Sequence, residues 1–329
     1  MSILVVGSVG LDDVQTPAGA RTRTLGGACT YFAAAASLYA RVCIVAVVGT
    51  DFPQEHTDFL AARGVDLTGL QTVEGKTFFW AGRYGEDLNT CETLDTQLNV
   101  FAGFHPVITP ELARSEYVFL ANIDPDLQIE VLEQMRAPRL TALDSMNYWI
   151  TSKRAALTKA LSMVDIVFLN EHEVRLYAED TNLIRAGRAI LALGPKALVI
   201  KRGEYGAMLV TRGSCLGATF FLSPAYPLER VVDPTGAGDT FAAGFMGYLA
   251  RLGVHSLEAL RRAVVHGTVL ASFTVEDFSV DRLRTLSLSE VQARYDEFRY
   301  LTHFQSLSAT EGECFQRSVN ECAPGATIP

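Results

Sequence analysis

The sequence predicts an α/β fold in which helices cover a mainly parallel β-sheet. Short runs of β-branched and other apolar residues recur along the chain, and continuous runs of this kind are typical of strands buried on both faces. Helical stretches separate most of these runs, which is the alternation expected of βαβ units. The later runs each end in a polar residue or glycine, and open α/β sheets bind ligands at the carboxyl ends of their strands.

The predicted elements follow one another in this alternating order. A first strand is predicted over residues 3–9, an alanine-rich helix over 26–40 and a second buried strand over 42–49. Four further strands are predicted over residues 117–122, 139–144, 165–170 and 197–203. Three long helices follow, over residues 239–252, 256–273 and 289–300. Residues 306–329 have little periodicity, so we expect a weakly ordered C-terminal tail over residues 301–329 after one domain over residues 1–300.

One region departs from this alternation. Residues 76–101 contain two stretches of alternating polarity around a turn with Gly and Asn, which indicates an antiparallel hairpin. With the insertion around residues 11–25, the hairpin would form a small sheet that projects over the domain as a lid, made of residues 11–25 and 75–103. An ordinary edge hairpin fits the same pattern, so both interpretations stay open here.

Composition restricts the possible partners and the compartment. The chain has 329 residues, 49% of them hydrophobic and 20% charged, which is enough apolar material for a large core. Its 28 Lys and Arg against 37 Asp and Glu give a net charge of -9, so we expect no nucleic-acid partner. Six cysteines without a CxxC pair are typical of neither a zinc site nor a disulfide framework, and they predict a cytoplasmic location. No run of eighteen apolar residues occurs, so we expect no association with a membrane.

Residues 233–239, with the sequence DPTGAGD, stand at the entry to a predicted helix. The N-terminus of a helix has unpaired N–H groups and a positive dipole end, so it favours anions such as a phosphoryl group. Asp239 in this first turn fits either a helix cap or a general base. A glycine-rich anion site beside a carboxylate provides a place for a transferred phosphate and a base for an attacking hydroxyl. The combination predicts a kinase.

Here the chain resembles the ribokinase-like, or PfkB, family of carbohydrate and nucleoside kinases, whose signature leads from Asp and Thr through GAGD into a helix. The resemblance implies a three-layer αβα, doubly wound fold with a small β-sheet lid. It implies that Asp239 is the catalytic base and that ATP and Mg²⁺ are the cofactors. The anion hole would be formed by the N–H groups of Gly236, Ala237 and Gly238. Many members also hold a monovalent cation, so Asp233 and Thr235 become candidate ligands of K⁺.

The resemblance also implies acceptor-binding residues near the N-terminus. In GSVGLD, Asp12 would bind hydroxyls of the substrate, although an aspartate in a solvated loop fits the local sequence as well. Gly26 and Gly27 match a GG signature whose backbone contacts the substrate. The chain departs from the family after this signature, because Tyr31 replaces a substrate-contacting Asn and Ala28 replaces the ribokinase-type Lys. These departures leave the acceptor undetermined.

Further matches imply a nucleotide site. NEHE at residues 170–173 resembles the family's NxxE, in which Glu173 would reach Mg²⁺ through water, although a solvated helix start fits the same residues. KRGEYG occupies the place of a nucleotide-binding segment, and a late helix would border the adenine pocket. The candidate nucleotide-binding residues are Asn170, Lys201, Arg202, Gly203, Gly206 and His266.

Two other nucleotide motifs are not supported. GKT at residues 75–77 leads into a strand, whereas a P-loop must open a helix. VVGSVGLD lacks the third glycine of the dinucleotide fingerprint, which makes hydride transfer a poor alternative.

We therefore predict an ATP- and Mg²⁺-dependent kinase that phosphorylates a hydroxyl of a small sugar or sugar-like molecule. A nucleoside kinase of the adenosine type is the alternative, with stacking from the aromatic residues Tyr31, Phe79, Trp80 and Phe101, although core or lid packing fits each of them as well. A non-catalytic ligand sensor with the same fold is a third interpretation. Related kinases often pair through the lid, so we also expect a homodimer.

Overall fold

The structure, a computed structural model, describes residues 1–213 and 218–303. Strands in these residues form a main sheet and a smaller sheet. The main sheet contains β1 (Ser2–Val6), β4 (Arg41–Gly49), β5 (Asp66–Val73), β8 (Tyr117–Leu120), β9 (Leu140–Asp144), β10 (Ile166–Asn170), β11 (Ala197–Lys201), β12 (Ala207–Thr211) and β13 (Thr219–Ser223). The smaller sheet contains β2 (Gly10–Thr16), β3 (Gly19–Gly26), β6 (Phe78–Tyr84) and β7 (Cys91–Gln97). The helices are α1 (Ala28–Ala36), α2 (Gln54–Ala62), α3 (Pro125–Gln134), α4 (Asn147–Ser152), α5 (Arg154–Met163), α6 (Glu171–Ala178), α7 (Leu183–Ala192), α8 (Ala237–Leu252), α9 (Leu257–Thr274), α10 (Asp281–Thr285) and α11 (Leu288–Thr302).

The main sheet has the spatial order β13-β12-β11-β10-β9-β8-β1-β4-β5. Its pairs are parallel except where β12 joins β11 and β13. Side chains alternate between its faces, so Ile3 and Val5 enter one hydrophobic core while Leu4 and Val6 enter another. Helices α1, α8 and α9 cover the first core, and α3, α5, α6 and α7 cover the second. This arrangement confirms the predicted three-layer αβα fold with a mainly parallel sheet.

The smaller sheet, here called the lid sheet, has the order β3-β2-β6-β7. It joins the two predicted lid segments through a parallel pairing of β2 with β6. One face of the lid sheet packs on the rest of the protein, where Val14 and Trp80 meet Val232 and Phe278. A small second sheet was predicted and is confirmed, whereas its closure over a ligand stays a prediction.

The structure differs from the predicted elements at several boundaries. The α1 helix is shorter than predicted at both ends: Gly27, with φ of 94°, precedes its first residue, and the helix ends at Ala36. The strand predicted over residues 197–203 stops at Lys201, before a 3₁₀ turn over Gly203–Tyr205. Strands β5, β12 and β13 were not predicted. The predicted tail lies outside the described residues, except for Leu301–His303 at the end of α11.

In residues 1–213 and 218–303, no helix has the length and apolar character needed to cross a bilayer. Three of the six cysteines fall in this part of the chain, and Cys29, Cys43 and Cys91 are all free thiols. The other three cysteines lie outside the described residues.

Candidate active site

The DPTGAGD segment forms a tight turn into α8. Gly236 is the N-cap residue and has a left-handed φ of 75°, a conformation that glycine adopts without steric cost. A Cβ added at Gly236 would lie 2.3 Å from the ring of Tyr31, so the turn needs glycine for space as well. The N–H of Ala237 donates to the Pro234 carbonyl at 3.1 Å. The Ala237 N–H is thus already bonded, and the N–H groups of Gly236 and Gly238 stay the candidates for the predicted anion hole.

Asp239 lies three residues beyond the N-cap, in the first turn of α8. Because Gly236 occupies the N-cap position, the structure does not support the alternative that Asp239 is the cap. Burial and the charge of Asp144 raise the pKa of Asp239 to about 7, against the opposing effect of Lys201. A carboxylate with a pKa near neutrality is suited to accept a proton from a hydroxyl group.

Lys201 and Asp144 form a buried ion pair beside this turn. Asp144 ends β9 and Lys201 ends β11, and β10 lies between them, so both side chains stand at the carboxyl edge of the sheet. A Cβ added at Gly238 would lie 3.1 Å from Lys201 Nζ, which places the ammonium against the first turn of α8. Lys201 was a predicted site residue, whereas Asp144 was not.

The two NxxE candidates contact each other. Glu173 Oε2 accepts from the Asn170 N–H at 2.7 Å, and Asn170 Oδ1 accepts from the Glu173 N–H at 2.8 Å. This capping box holds the start of α6. Glu173 is buried, and burial together with the charge of Asp144 raises its pKa to about 7 against the effect of Lys201. Glu173 thus joins Asp144, Lys201 and Asp239 in one electrostatic cluster.

Arg202 has a different environment from Lys201. Its Nε bonds to Glu171 Oε2 at 2.7 Å, and Glu171 also accepts from Arg175 at 2.5 Å. Arg202 is therefore held in an ion pair with Glu171, and the structure does not bring it to the Asp239 cluster.

The acceptor candidates meet where β2, β3 and α1 converge. Asp12 is 4% exposed, and a Cβ added at Gly26 would lie 2.0 Å from its Oδ2, so only glycine fits beside this carboxyl group. A Cβ added at Gly27 would lie 2.5 Å from the Ser8 carbonyl oxygen. Burial raises the pKa of Asp12 to about 8, with further contributions from Asp233 and Asp239. Asp12 is therefore largely protonated at neutral pH and can donate a hydrogen bond.

Tyr31 lies between the acceptor candidates and the catalytic turn. Its side chain is 2% exposed, and its hydroxyl has no hydrogen-bond partner among the described residues. Burial raises the pKa of Tyr31 well above its usual value, and Asp12 and Asp233 act in the same direction. A buried hydroxyl without a partner is costly, which makes this group a candidate for a hydrogen bond to a ligand.

Only some of the aromatic residues predicted for stacking are near Asp12. Trp80 is the register partner of Asp12 in the parallel β2–β6 pair. Phe79 lies on the opposite face of β6 and lines a separate cavity of about 230 Å³ with Leu11. Phe101 packs with Phe78 and Phe104, with ring centroids 5.6 and 5.5 Å away.

The cation candidates are held by backbone groups. Asp233 is 1% exposed, with Oδ1 accepting from the Thr235 N–H at 2.9 Å and Oδ2 from the Ser279 N–H at 3.1 Å. Thr235 Oγ1 bonds to the Tyr84 hydroxyl at 3.3 Å, a contact from the lid sheet that the sequence did not predict. Asp233 and Thr235 therefore lie together, with Tyr84 beside them.

A cavity of about 570 Å³ adjoins the catalytic turn at Pro234 and Ala237. Phe241, Thr268 and Ser272 line its walls. The predicted glycines shape its rim: Gly203 and Gly206 have φ of 56° and 86°, and both line it. The apolar walls and the position beside an open helix end suit a nucleotide.

His266 is not among the residues that line this cavity, contrary to its expected place near the base. Its ring stacks between Tyr248 and Tyr295, with centroids at 4.3 and 4.5 Å, and its Nδ1 bonds to the Tyr39 hydroxyl at 3.1 Å. Burial lowers the pKa of His266 to about 4. The structure thus gives His266 a packing role, and Thr268 and Ser272 of the same helix face the cavity instead.

Comparison with known proteins agrees with this geometry. The chain is 34% identical over 257 residues to the cytidine kinase of Thermococcus kodakarensis, covering 76% of this chain and 89% of the relative. It is 27% identical over 244 residues to the fructoselysine 6-kinase of Escherichia coli, covering 71% of this chain and 82% of the relative.

The fold is also shared with solved structures. An Escherichia coli protein described as a ribokinase II, solved in complex with ATP and Mg²⁺, aligns with a TM-score of 0.73 at 20% identity over 90% of this chain and 99% of that chain. Residues 3–283 match the family described as pfkB family carbohydrate kinase. The chain therefore belongs to the PfkB family, and it is a phosphotransferase that acts on a hydroxyl of a sugar or a nucleoside.

Proposed function

We propose that this protein transfers the γ-phosphoryl group of ATP to a hydroxyl of a ribonucleoside, with Asp239 as the general base. The observation that carries the proposal is the position of Asp239, which lies in the first turn of α8 beside Lys201 and next to the 570 Å³ cavity. The similarity to a cytidine kinase supports a nucleoside as the acceptor.

The proposed reaction uses groups from both sides of the catalytic turn. Asp239 takes the proton of the acceptor hydroxyl as its oxygen bonds to the γ-phosphorus, and ADP leaves with the bridging oxygen. The N–H groups of Gly236 and Gly238, together with the ammonium of Lys201, stabilise the charge on the transferred phosphoryl oxygens. Loss of the base should lower the rate by about 10² to 10⁴.

The acceptor side suits a molecule with several hydroxyls. A protonated Asp12 donates to one hydroxyl and accepts from another, and the unpartnered hydroxyl of Tyr31 supplies a further hydrogen bond. Trp80 beside Asp12 offers an aromatic surface for a nucleobase. These groups replace the Asn and Lys that ribokinase-type members use.

The charge balance supports a role for Mg²⁺. Asp144, Glu173 and Asp239 all act on the charge of Lys201, so ATP would need further positive charge to enter. Mg²⁺ usually binds one or two carboxylates plus waters and phosphate oxygens, and Glu173 would hold it through water. Bound Mg²⁺ would neutralise phosphate charge. Nowhere in the described ranges do three His, Cys, Asp or Glu side chains converge into a metal-binding group, which fits a site completed by the nucleotide.

A monovalent cation such as K⁺ is a further part of the proposal. Each carboxylate oxygen of Asp233 accepts one N–H and keeps capacity for a cation, and Thr235 lies beside it. Replacing K⁺ by a large organic cation should then lower turnover. An unchanged rate would remove Asp233 and Thr235 as ligands.

A sugar or sugar derivative is the second candidate acceptor, because the fructoselysine 6-kinase relative covers a similar share of the chain. The deciding experiment measures ADP release over a panel of cytidine, uridine, adenosine, inosine, fructose, ribose, inositols and sugar acids, with Asp239→Asn as the control. The highest kcat/KM on a nucleoside supports the proposal, and the highest on a sugar overturns its acceptor.

Two further outcomes of the panel are informative. Turnover that survives Asp239→Asn would remove Asp239 as the base. Ligand-induced stabilisation without any turnover would support the sensor interpretation. The expected homodimer stays a prediction, which sedimentation of the full chain tests directly.

A further inference from the structure

The tip of the β6–β7 hairpin reaches the nucleotide cavity. Asp87, Leu88 and Asn89 line this cavity together with the turn at Gly203–Tyr205. Asn89 Nδ2 donates to Glu204 Oε1 at 3.0 Å. A Cβ added at Gly203 would lie 2.7 Å from Asn89 Oδ1, so the tip and the turn are in close contact.

Local hydrogen bonds fix the shape of this tip. The Gly85 N–H donates to the Thr90 carbonyl at 3.1 Å, and the Leu88 N–H donates to the Gly85 carbonyl at 3.0 Å. The Asp87 carboxylate accepts from the N–H groups of Asn89 and Thr90, each at 3.2 Å. Leu88 adopts a left-handed φ of 55° at the turn. The acidic side chain is thus satisfied within the tip, and an apolar side chain is presented at the cavity.

The hairpin passes from the acceptor side to the nucleotide side. Trp80 pairs with Asp12, Tyr84 contacts Thr235 in the catalytic turn, and Asn89 contacts the nucleotide-site turn. All residues of β7 are exposed, so contacts at the tip and at Tyr84 decide where the outer part of the hairpin sits.

We propose that the hairpin tip is one wall of the nucleotide site, with Leu88 packing against the bound nucleotide and Asn89 fastening the tip to Glu204. This inference rests on the proposed function, because it takes the 570 Å³ cavity as the nucleotide site. A nucleotide that contacts the tip binds more tightly to the closed lid sheet than to an open one, so it shifts the lid toward closure. By linkage, nucleotide binding then strengthens acceptor binding and the reverse.

The test measures MgADP binding by calorimetry in the absence of acceptor, so it does not depend on knowing the acceptor. The variants are Leu88→Ala and Asn89→Ala, and the matched control is Leu94→Ala, an exposed leucine of the same hairpin that does not line the cavity. We expect Leu88→Ala and Asn89→Ala to weaken MgADP binding at least about fivefold and the control to change it less than twofold.

A second readout follows the lid itself. Trypsin can cleave after Arg83, a residue of β6 whose side chain is 55% exposed. MgADP should slow this cleavage in the wild type and in Leu94→Ala. In Leu88→Ala and Asn89→Ala, MgADP should slow the cleavage much less. Thermal melting of each variant confirms that it is folded.

The outcomes separate the two proposals. If the wild-type protein does not bind MgADP, the proposed use of ATP fails. If the wild type binds and both tip variants bind equally well with unchanged protection at Arg83, the nucleotide site stands and the tip has no part in it.

Discussion

The ammonium of Lys201 bonds to the buried carboxylate of Asp144 directly beside the first turn of α8. The two charges act in opposite directions on Asp239: Asp144 raises its pKa and Lys201 lowers it. Burial is the main cause of the raised pKa of Asp239, and the pair adjusts that pKa while keeping a cation beside the first turn of α8.

The pH dependence of the reaction should report Asp239. A base acts only when deprotonated, so kcat/KM should rise with pH up to about 7, the raised pKa of Asp239. Initial rates between pH 5 and pH 9, at constant ionic strength, test this. A rate that is flat across this range would contradict the assignment.

Asp144→Asn should shift the rise of kcat/KM to lower pH. The substitution removes the charge that raises the pKa of Asp239 and leaves Lys201 uncompensated, and both changes favour the Asp239 carboxylate. Asp126→Asn, at an exposed carboxylate paired with Lys153, is the control and should leave the pH of this rise unchanged. A folded Asp144→Asn variant with the wild-type pH profile of kcat/KM would show that the pair does not affect the pKa of Asp239.

Gly236→Ala should abolish most activity. Its φ of 75° is unfavourable for alanine, and the new methyl group would meet the Tyr31 ring at 2.3 Å. Gly253→Ala is a matched control, because Gly253 has φ of 71° at the end of α8 and its Cβ would meet only the flexible end of Met1. Both variants should lose about 1 kcal/mol of stability from the left-handed backbone. Only the first should lose turnover by more than about tenfold, as measured by ADP release.

Asp12→Asn should stabilise the protein in a pH-dependent way. The pKa of Asp12 is raised to about 8 in the folded state, so the folded protein binds a proton that the unfolded chain releases above about pH 4. The contribution of Asp12 to the free energy of unfolding of the wild type therefore falls as pH rises from about 4 to about 8. Asparagine carries no charge, so the variant does not lose this stability. We expect the melting temperature of Asp12→Asn to exceed that of the wild type by more than about 2 °C at pH 8 and by less at pH 5. Equal differences at both pH values would mean that the effect is not electrostatic.

Much of the fold was predictable because continuous apolar runs report strands that are buried on both faces. All four residues of β8 are buried, and the predicted strand over residues 117–122 contains them. The β5 strand was missed because its sequence, DLTGLQTV, is polar and it lies at the edge of the sheet. Tertiary position, rather than local sequence, makes it a strand.

The site was predictable where a motif fixes local geometry, as in the turn at Gly236. Asp144 could not be selected from the sequence, because several predicted strands end in Asp or Asn and only the folded sheet shows which of them meets Lys201. The rotational phase of α9 is not readable from the motif, so the sequence could not show that His266 faces away from the cavity. Residues two apart on a helix differ by about 200° in direction, so His266 and Thr268 face opposite sides.

The contact of Tyr295 with His266 shows that a shortened chain must keep α11. The family match ends at residue 283, yet α11 lies beyond it and carries Tyr295 against His266. In the same helix, Arg294 bonds to Glu276 at 2.6 Å and to Ser272 at 3.0 Å, and Ser272 lines the nucleotide cavity. An expression fragment designed on the family limits alone would strip the outer support from that wall, so a cut should be made after Thr302.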